Sequence, residues 1–184
     1  MPSKRMTADQ RRESIIVAAT ALFAQRGYFG TPTIEIAKAA GLSDGYMFRL
    51  IETKEALFVA VVERSFDSIL ATFQAATAEA AGLNSEELLD RIGKFYAEVL
   101  TDRDLLLIQL HAAAACTEPA VRDAVRRGFQ RMVEFVRAAT GADDATLQEF
   151  FAIGMLANFI AAMRAERLKA RWARTLVGDL LFHI

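Results

Sequence analysis

In the stretch TPTIEIAKAAGLSDGYMFRLIETKE, residues 31–55, a few side chains are spaced so that they could do recognition chemistry. At about 100° per residue, Gly45, Phe48 and Arg49 point to one side of a helix that begins at Asp44, while Met47, Leu50 and Ile51 gather on the other. A face with a side-chain-free position, an aromatic ring and a guanidinium can approach a nucleic-acid duplex closely and reach phosphates or base edges. A solvated surface helix would show the same periodicity, so the pattern alone leaves both readings open.

Catalytic chemistry finds no comparable footing. An enzyme needs a nucleophile with its base, paired carboxylates, a metal set or a phosphate loop, and none stands at a usable spacing, so the chain reads as a non-enzyme with no cofactor. His111 and Cys116 are five residues apart, about 140° around a helix, and His183 is isolated, so no metal site is expected.

The elements that must hold the recognition face are visible on both sides of it. In RRESIIVAATALFAQRGYFG, Ile15, Ala18, Ala19, Leu22 and Phe23 recur at the spacing of one helical face, with Arg11, Arg12 and Arg26 off it. Gly27 follows, where a left-handed stop is open to glycine without steric cost. A second helix is expected to start after Thr33, since Pro32 disfavours helix before it and a Thr side chain can cap free amides. Ile34, Ile36, Ala37 and Ala40 supply its packing surface. A tight Ala39-Ala40-Gly41-Leu42 turn and the N-cap type Ser43 then lead into the third helix, which is the layout of a helix-turn-helix.

The run from Ile15 to Phe58 closely resembles the DNA-binding domain of TetR-type transcriptional regulators. It carries Ala18-Ala19, Leu22-Phe23, Gly27, Thr33, Ile36-Ala37, Ala40-Gly41-Leu42-Ser43, Gly45 and Lys54-Glu55-Ala56-Leu57 with every spacer of the expected length. The resemblance implies a dimeric repressor that reads a palindromic operator and lets go when a small molecule fills its second domain. Carried over by position, Thr33 would contact phosphate, Ser43, Gly45, Tyr46 and Arg49 would face the major groove, and Lys54 would clamp the backbone.

Several positions depart from the family pattern. Phe48 stands where a Tyr hydroxyl usually reaches phosphate, and Leu50 where His or Tyr is common. Asp44 replaces a frequent Lys; it either reads a cytosine amino group or, as the commoner local role, sits in the first helical turn favoured by the dipole. Tyr46 replaces a small residue and should reach further into the groove.

Residues 1–50 hold seven basic side chains against four acidic ones, while the whole chain carries −1. That suggests one localised electrostatic footprint on an otherwise acidic protein. Lys4-Arg5 could extend it as an arm or be a solvated tail. With 184 residues, 53 % of them hydrophobic, and only three Pro, the chain is expected to be all-helical with a substantial core. The start MPSKRMTADQRRE has no apolar signal core, no apolar run looks long enough to span a bilayer, and one cysteine precludes an intrachain disulfide, so a cytoplasmic protein without membrane contact is expected.

Beyond Lys54 one long helix is predicted to about Ala80, with breaks at residues 81–84, 101–103, 117–119 and 140–142. Residues 104–116, DLLLIQLHAAAAC, are apolar almost all round, as in a central helix, with Gln109 and His111 as polar exceptions. His111 is more readily a core histidine bonded to a carbonyl than an effector contact. Arg122, Arg126, Arg127 and Arg137 read as a solvated face paired with acids rather than a second DNA patch. Asn158, amid aromatic and sulfur side chains, must be either an effector partner or a paired structural amide. By composition, Phe66, Phe73, Phe95, Tyr96, Ile108, Phe129, Met132, Phe151, Met155 and Phe159, with Gln109, His111 and Asn158, form a candidate pocket for an apolar or aromatic effector of moderate size. The resemblance places the last two helices in a four-helix dimer interface, which Gly154, Ala157, Ala161, Leu168, Trp172, Leu176 and Leu180 would form.

The expected architecture is therefore all-α: a helix-turn-helix domain over residues 1–55 followed by a helical effector-binding and dimerisation domain over 56–184. Its partners would be double-stranded operator DNA, a small-molecule effector and a second copy. The alternative is a helical sensor with weakened DNA binding that acts through protein partners.

Overall fold

The computed structural model describes residues 6–178 apart from residues 79 and 81. Expectations about Lys4, Arg5, Leu180 and His183 lie outside the described residues. Within them the chain is helical, with no strand: α1 Ala8–Gly30, α2 Thr33–Ala39, α3 Asp44–Leu50, α4 Lys54–Ala78, α5 Ser85–Val99, α6 Arg103–Ala114, α7 Pro119–Thr140, α8 Asp144–Met163 and α9 Arg171–Val177, with a 3-10 turn Ala165–Arg167 before the last.

Local chemistry sets most of these boundaries. Thr7 with Gln10 and Asn84 with Glu87 form reciprocal capping boxes at the starts of α1 and α5. Ser43, Asp102 and Asp143 cap α3, α6 and α8, and α7 opens on Pro119 and closes on a left-handed Gly141. Two boundaries differ from expectation. Thr33 is the first residue of α2, and the N-cap is Pro32, which gives no side-chain bond. Gly27 breaks α1 at φ 69° and ψ 178°, a positive-φ but extended conformation, after which the helix resumes to Gly30. The buried Thr31 hydroxyl seals the break by donating to the Gly27 carbonyl at 2.7 Å.

The packing is continuous from end to end. Phe23 of α1 packs on Phe58 of α4, and Ile15 of α1, Ile36 of α2 and Met47 of α3 belong to the same core. Further along α4, Phe66, Ile69 and Phe73 pack into the same core with Ile92 of α5, Ile108 of α6 and Val121, Met132 and Val136 of α7. The expected boundary at residue 55 falls in the first turn of α4, so one helix serves both sides of it. A smaller cluster of Leu100, Leu106, Ala157, Ile160, Ala165 and Ala173 fastens α8 and α9 to the ends of α5 and α6.

Of the α7 arginines read as paired with acids, Arg126, Arg127 and Arg137 are so paired, whereas Arg122 donates to the Cys116 carbonyl at 3.3 Å. Arg127 meets Glu63 and Arg131 meets Asp67, each at 2.7 Å across to α4, while Arg126 and Arg137 pair with Asp123 and Asp144. Exposed pairs of this kind contribute little individually.

α8 departs from the sequence reading in one respect: by length and composition it is apolar enough to cross a membrane. Its apolar side chains divide between two faces. Leu147, Ala157 and Ile160 are buried, whereas Ile153, Met155, Phe159 and Met163 are exposed, as are Leu168 and Trp172 beyond it. Of the expected interface residues, Ala157 is spent on the protomer's own core, Ala161 and Leu176 pack partly against the smaller cluster, and Gly154 is half-buried.

Candidate nucleic-acid interface and effector cavity

The helix-turn-helix presents a compact polar and aromatic surface. The Ser43 hydroxyl accepts from the Tyr46 amide at 3.3 Å, so part of its bonding is used to start α3. Gly45, Tyr46 and Arg49 are exposed. A Cβ built at Gly45 would meet nothing within 4 Å, so nothing inside the protein demands glycine there. The bare backbone is open to an approaching partner. Tyr46 carries the Arg11 guanidinium 5.3 Å from its ring centroid, which brings a cation from α1 to the same face. Arg12 donates from Nε to the Leu50 carbonyl at 3.2 Å and ties the end of α3 to α1.

Phe48 is placed differently from the outward position expected. It is half-buried and packed against the core, because a ring near the edge of a seven-residue helix gains more from burial than from water. Asp44 lies in the first turn of α3. One of its carboxylate oxygens is buried without a hydrogen-bond partner among the described residues. Thr33 is half-exposed at the start of α2. Lys54, at the start of α4, holds its ammonium 4.9 Å from the Tyr28 ring centroid, and desolvation lowers its pKa from the usual lysine value.

His111 takes the structural role favoured for it. Its Nε2 lies 3.2 Å from the Ala24 carbonyl, and its ring fills the space beside Gly27, where a Cβ would come within 2.8 Å of Nδ1.

Between α4, α5, α6, α7 and α8 lies a cavity of about 520 Å³. Phe73, Tyr96, Gln109, Phe129, Met132, Phe151, Met155 and Asn158 line it, as their composition suggested. Five other candidates do not. Phe66 is buried under Gly128, Ile108 is buried in the main core, Phe95 sits beneath Arg91, His111 bonds α1, and Phe159 is on the outer face of α8. The sequence reading missed the α5 wall of Glu86, Leu89, Asp90, Gly93, Lys94 and Ala97, together with Thr146, Glu149, Phe150 and Ile153 of α8. Gly93, a glycine inside an otherwise regular helix, was the available signal for a wall without side-chain bulk.

A polar cluster interrupts this apolar lining. The Tyr96 hydroxyl lies 2.7 Å from Asn158 Oδ1 and 3.0 Å from Gln109 Oε1; its single hydrogen serves one of them at a time. Asn158 Nδ2 donates to Gln109 Oε1 at 3.3 Å. Asn158 is therefore a paired amide and also part of the cavity wall. Burial pushes the Tyr96 phenol above its ordinary pKa, opposed by its bonds to Asn158 and Gln109. Tyr96→Phe is expected to cost about 1–3 kcal/mol by leaving the buried Asn158 oxygen unpaired. Urea unfolding of the variant and the parent checks this, and a loss within error would show that the cluster carries no stability.

Residues 15–61 match the family model described as "Bacterial regulatory proteins, tetR family". The amino-terminal domain belongs to the TetR family. The chain is similar to the HTH-type transcriptional activator FasR of Mycolicibacterium smegmatis, 33 % identical over 66 residues, which are 36 % of this chain and 30 % of that protein. The HTH-type transcriptional regulator HbdR of Aromatoleum is 24 % identical over 160 residues, 84 % of this chain and 69 % of the relative. A crystal structure from Mesorhizobium loti, assigned to TetR-family transcriptional regulators, superimposes with a TM-score of 0.70 at 23 % identity, covering 96 % of this chain and 98 % of that one. The whole chain thus has the fold of TetR-family regulators, and the relatives are regulators rather than enzymes.

Proposed function

We propose that the protein is a ligand-responsive transcriptional regulator that binds a palindromic operator as a homodimer and releases it when a small apolar or aromatic effector enters the cavity. The observation that carries this reading is α4. One unbroken helix begins at Lys54 beside the TetR-type domain and reaches Phe73 in the cavity wall. A ligand that favours one position of Phe73 therefore acts on a helix whose other end packs against α1. The exposed Ile153, Phe159, Met163, Leu168 and Trp172 supply an apolar face for the second copy. Two recognition helices must sit about 34–36 Å apart, or a multiple of that, to enter successive major grooves, so a change in their separation abolishes joint binding.

The test is selection from randomised duplex DNA at physiological salt, with sequencing of the retained pool. One enriched inverted repeat is the expected result. Retention of no sequence would favour the partner-binding sensor, for which the unpaired Asp44 oxygen at the start of α3 is the specific motive. On the selected operator, Arg49→Ala should cost about 1–3 kcal/mol and relax base preference. Lys54→Ala should weaken all sequences alike and flatten the salt dependence, because it removes a point charge rather than a base contact. Equal loss of discrimination in both variants would sink this division of roles.

A further inference from the structure

Several basic side chains around the amino-terminal domain are already committed to acids. Arg12 pairs with Asp9 at 3.1 Å, Arg26 with Glu35 at 2.7 Å and Arg64 with Glu13. Arg11 is different. It has no acid partner among the described residues, and the two acids nearest to it along α1, Asp9 and Glu13, are both held by other cations. Arg11 is half-buried, and its guanidinium lies 5.3 Å from the centroid of the Tyr46 ring, which is 36 % exposed in the first turn of α3. Arg12, the next residue, bonds the Leu50 carbonyl at 3.2 Å, so adjacent residues of α1 reach both ends of the recognition helix and fix its place beside them. An α-helix with its side chains is about 10–12 Å across and fills a major groove about 12 Å wide. A cation carried by a different helix and flanking α3 therefore stands at the edge of the groove, where the phosphates run, and not over base edges.

We infer that Arg11 binds a backbone phosphate at the edge of the groove that α3 enters, and that Tyr46 is the positioning residue that holds it there. This rests on the operator reading of α3 and adds to it a contact made from α1. The ring keeps the guanidinium ordered before DNA arrives, so less side-chain freedom is lost on binding. Arg11 thereby contributes affinity without sequence preference. Tyr46 acts chiefly through Arg11 and not by reading a base.

Fluorescence anisotropy of the full chain on two duplexes, the selected operator and a random sequence, tests this between about 50 and 200 mM salt. Arg11→Ala should lower the slope of log affinity against log salt by about one for each bound copy and weaken both duplexes by the same factor. Arg11→Lys should restore the slope, since a point charge also serves a phosphate. Arg131→Ala, which removes the same charge from α7, should leave it unchanged. Tyr46→Leu should weaken binding about two- to tenfold with Arg11 present, the value of one side chain left to be ordered, and not at all in an Arg11→Ala background. Tyr46→Phe, which keeps the ring, should retain the coupling to Arg11. An unchanged slope in Arg11→Ala, an equal loss from Tyr46→Leu in both backgrounds, or a slope that falls as far in Arg131→Ala would overturn the inference. If selection enriches no sequence, the palindromic reading fails while the random duplex still measures Arg11; if the parent binds no duplex at about 50 mM salt, both fall.

Discussion

Phe58→Ala is expected to lower the free energy of unfolding by about 3–5 kcal/mol, the range for removing a fully buried phenylalanine. The ring is wholly buried, meets Phe23 edge-on at 4.8 Å between centroids and lies 5.2 Å from Tyr28. It stands one turn after Lys54, where α4 passes under α1, so the cavity left behind would open between the two helices that carry the TetR-type domain. Collapse is restricted because both neighbours are aromatic and are themselves held, Tyr28 by Phe29 and Lys54. Chemical denaturation followed by circular dichroism at fixed protein concentration gives the number, and Phe58→Leu should recover much of it. A loss below about 1 kcal/mol would mean that α1 and α4 close over the gap, and the seam would then be softer than its packing implies.

The helix-turn-helix was legible because its signals are local. Gly41, Ser43 and the apolar spacing of Ile36, Ala37 and Met47 act within a few residues of one another, and the turn they specify formed at the expected place. Phe48 shows where such reasoning stops: angular position on a seven-residue helix cannot decide whether a boundary ring turns outward or joins the core. The cavity was legible in substance and not in outline. Phe73 and Met155 line it while Phe66 and Phe159 do not, though all four look alike by composition, because which side of a helix meets an empty space is set by the crossing of distant helices. The α5 wall escaped for the opposite reason. Glu86 and Asp90 look like any solvated helix face until α8 is laid beside them. Asn158 was conspicuous as a polar residue in an apolar stripe, yet its partners Tyr96 and Gln109 are far away in sequence, and no local pattern joins them.

Gly27→Ala is expected to cost about 3 kcal/mol or more, from two sources that can be separated. At φ 69° and ψ 178° the backbone occupies a region that is essentially confined to glycine, which penalises any side chain by about 1–3 kcal/mol. The added Cβ would also press on His111 at 2.8 Å, and overpacking of a closed site costs a further 1–3 kcal/mol or so. In a His111→Ala background only the steric part should be relieved, so the double-mutant cycle should show coupling of about 1–2 kcal/mol with the backbone part persisting. Strict additivity would mean that His111 yields freely and that Gly27 serves the chain reversal alone. The contact also bears on function. Gln109 in the cavity wall and His111 against Gly27 are two residues apart on α6, so α6 touches both the effector space and the break in α1. His111→Ala should therefore keep effector binding in the cavity and shrink the accompanying change in operator affinity; an unchanged response would leave α4 as the sole route between the two sites.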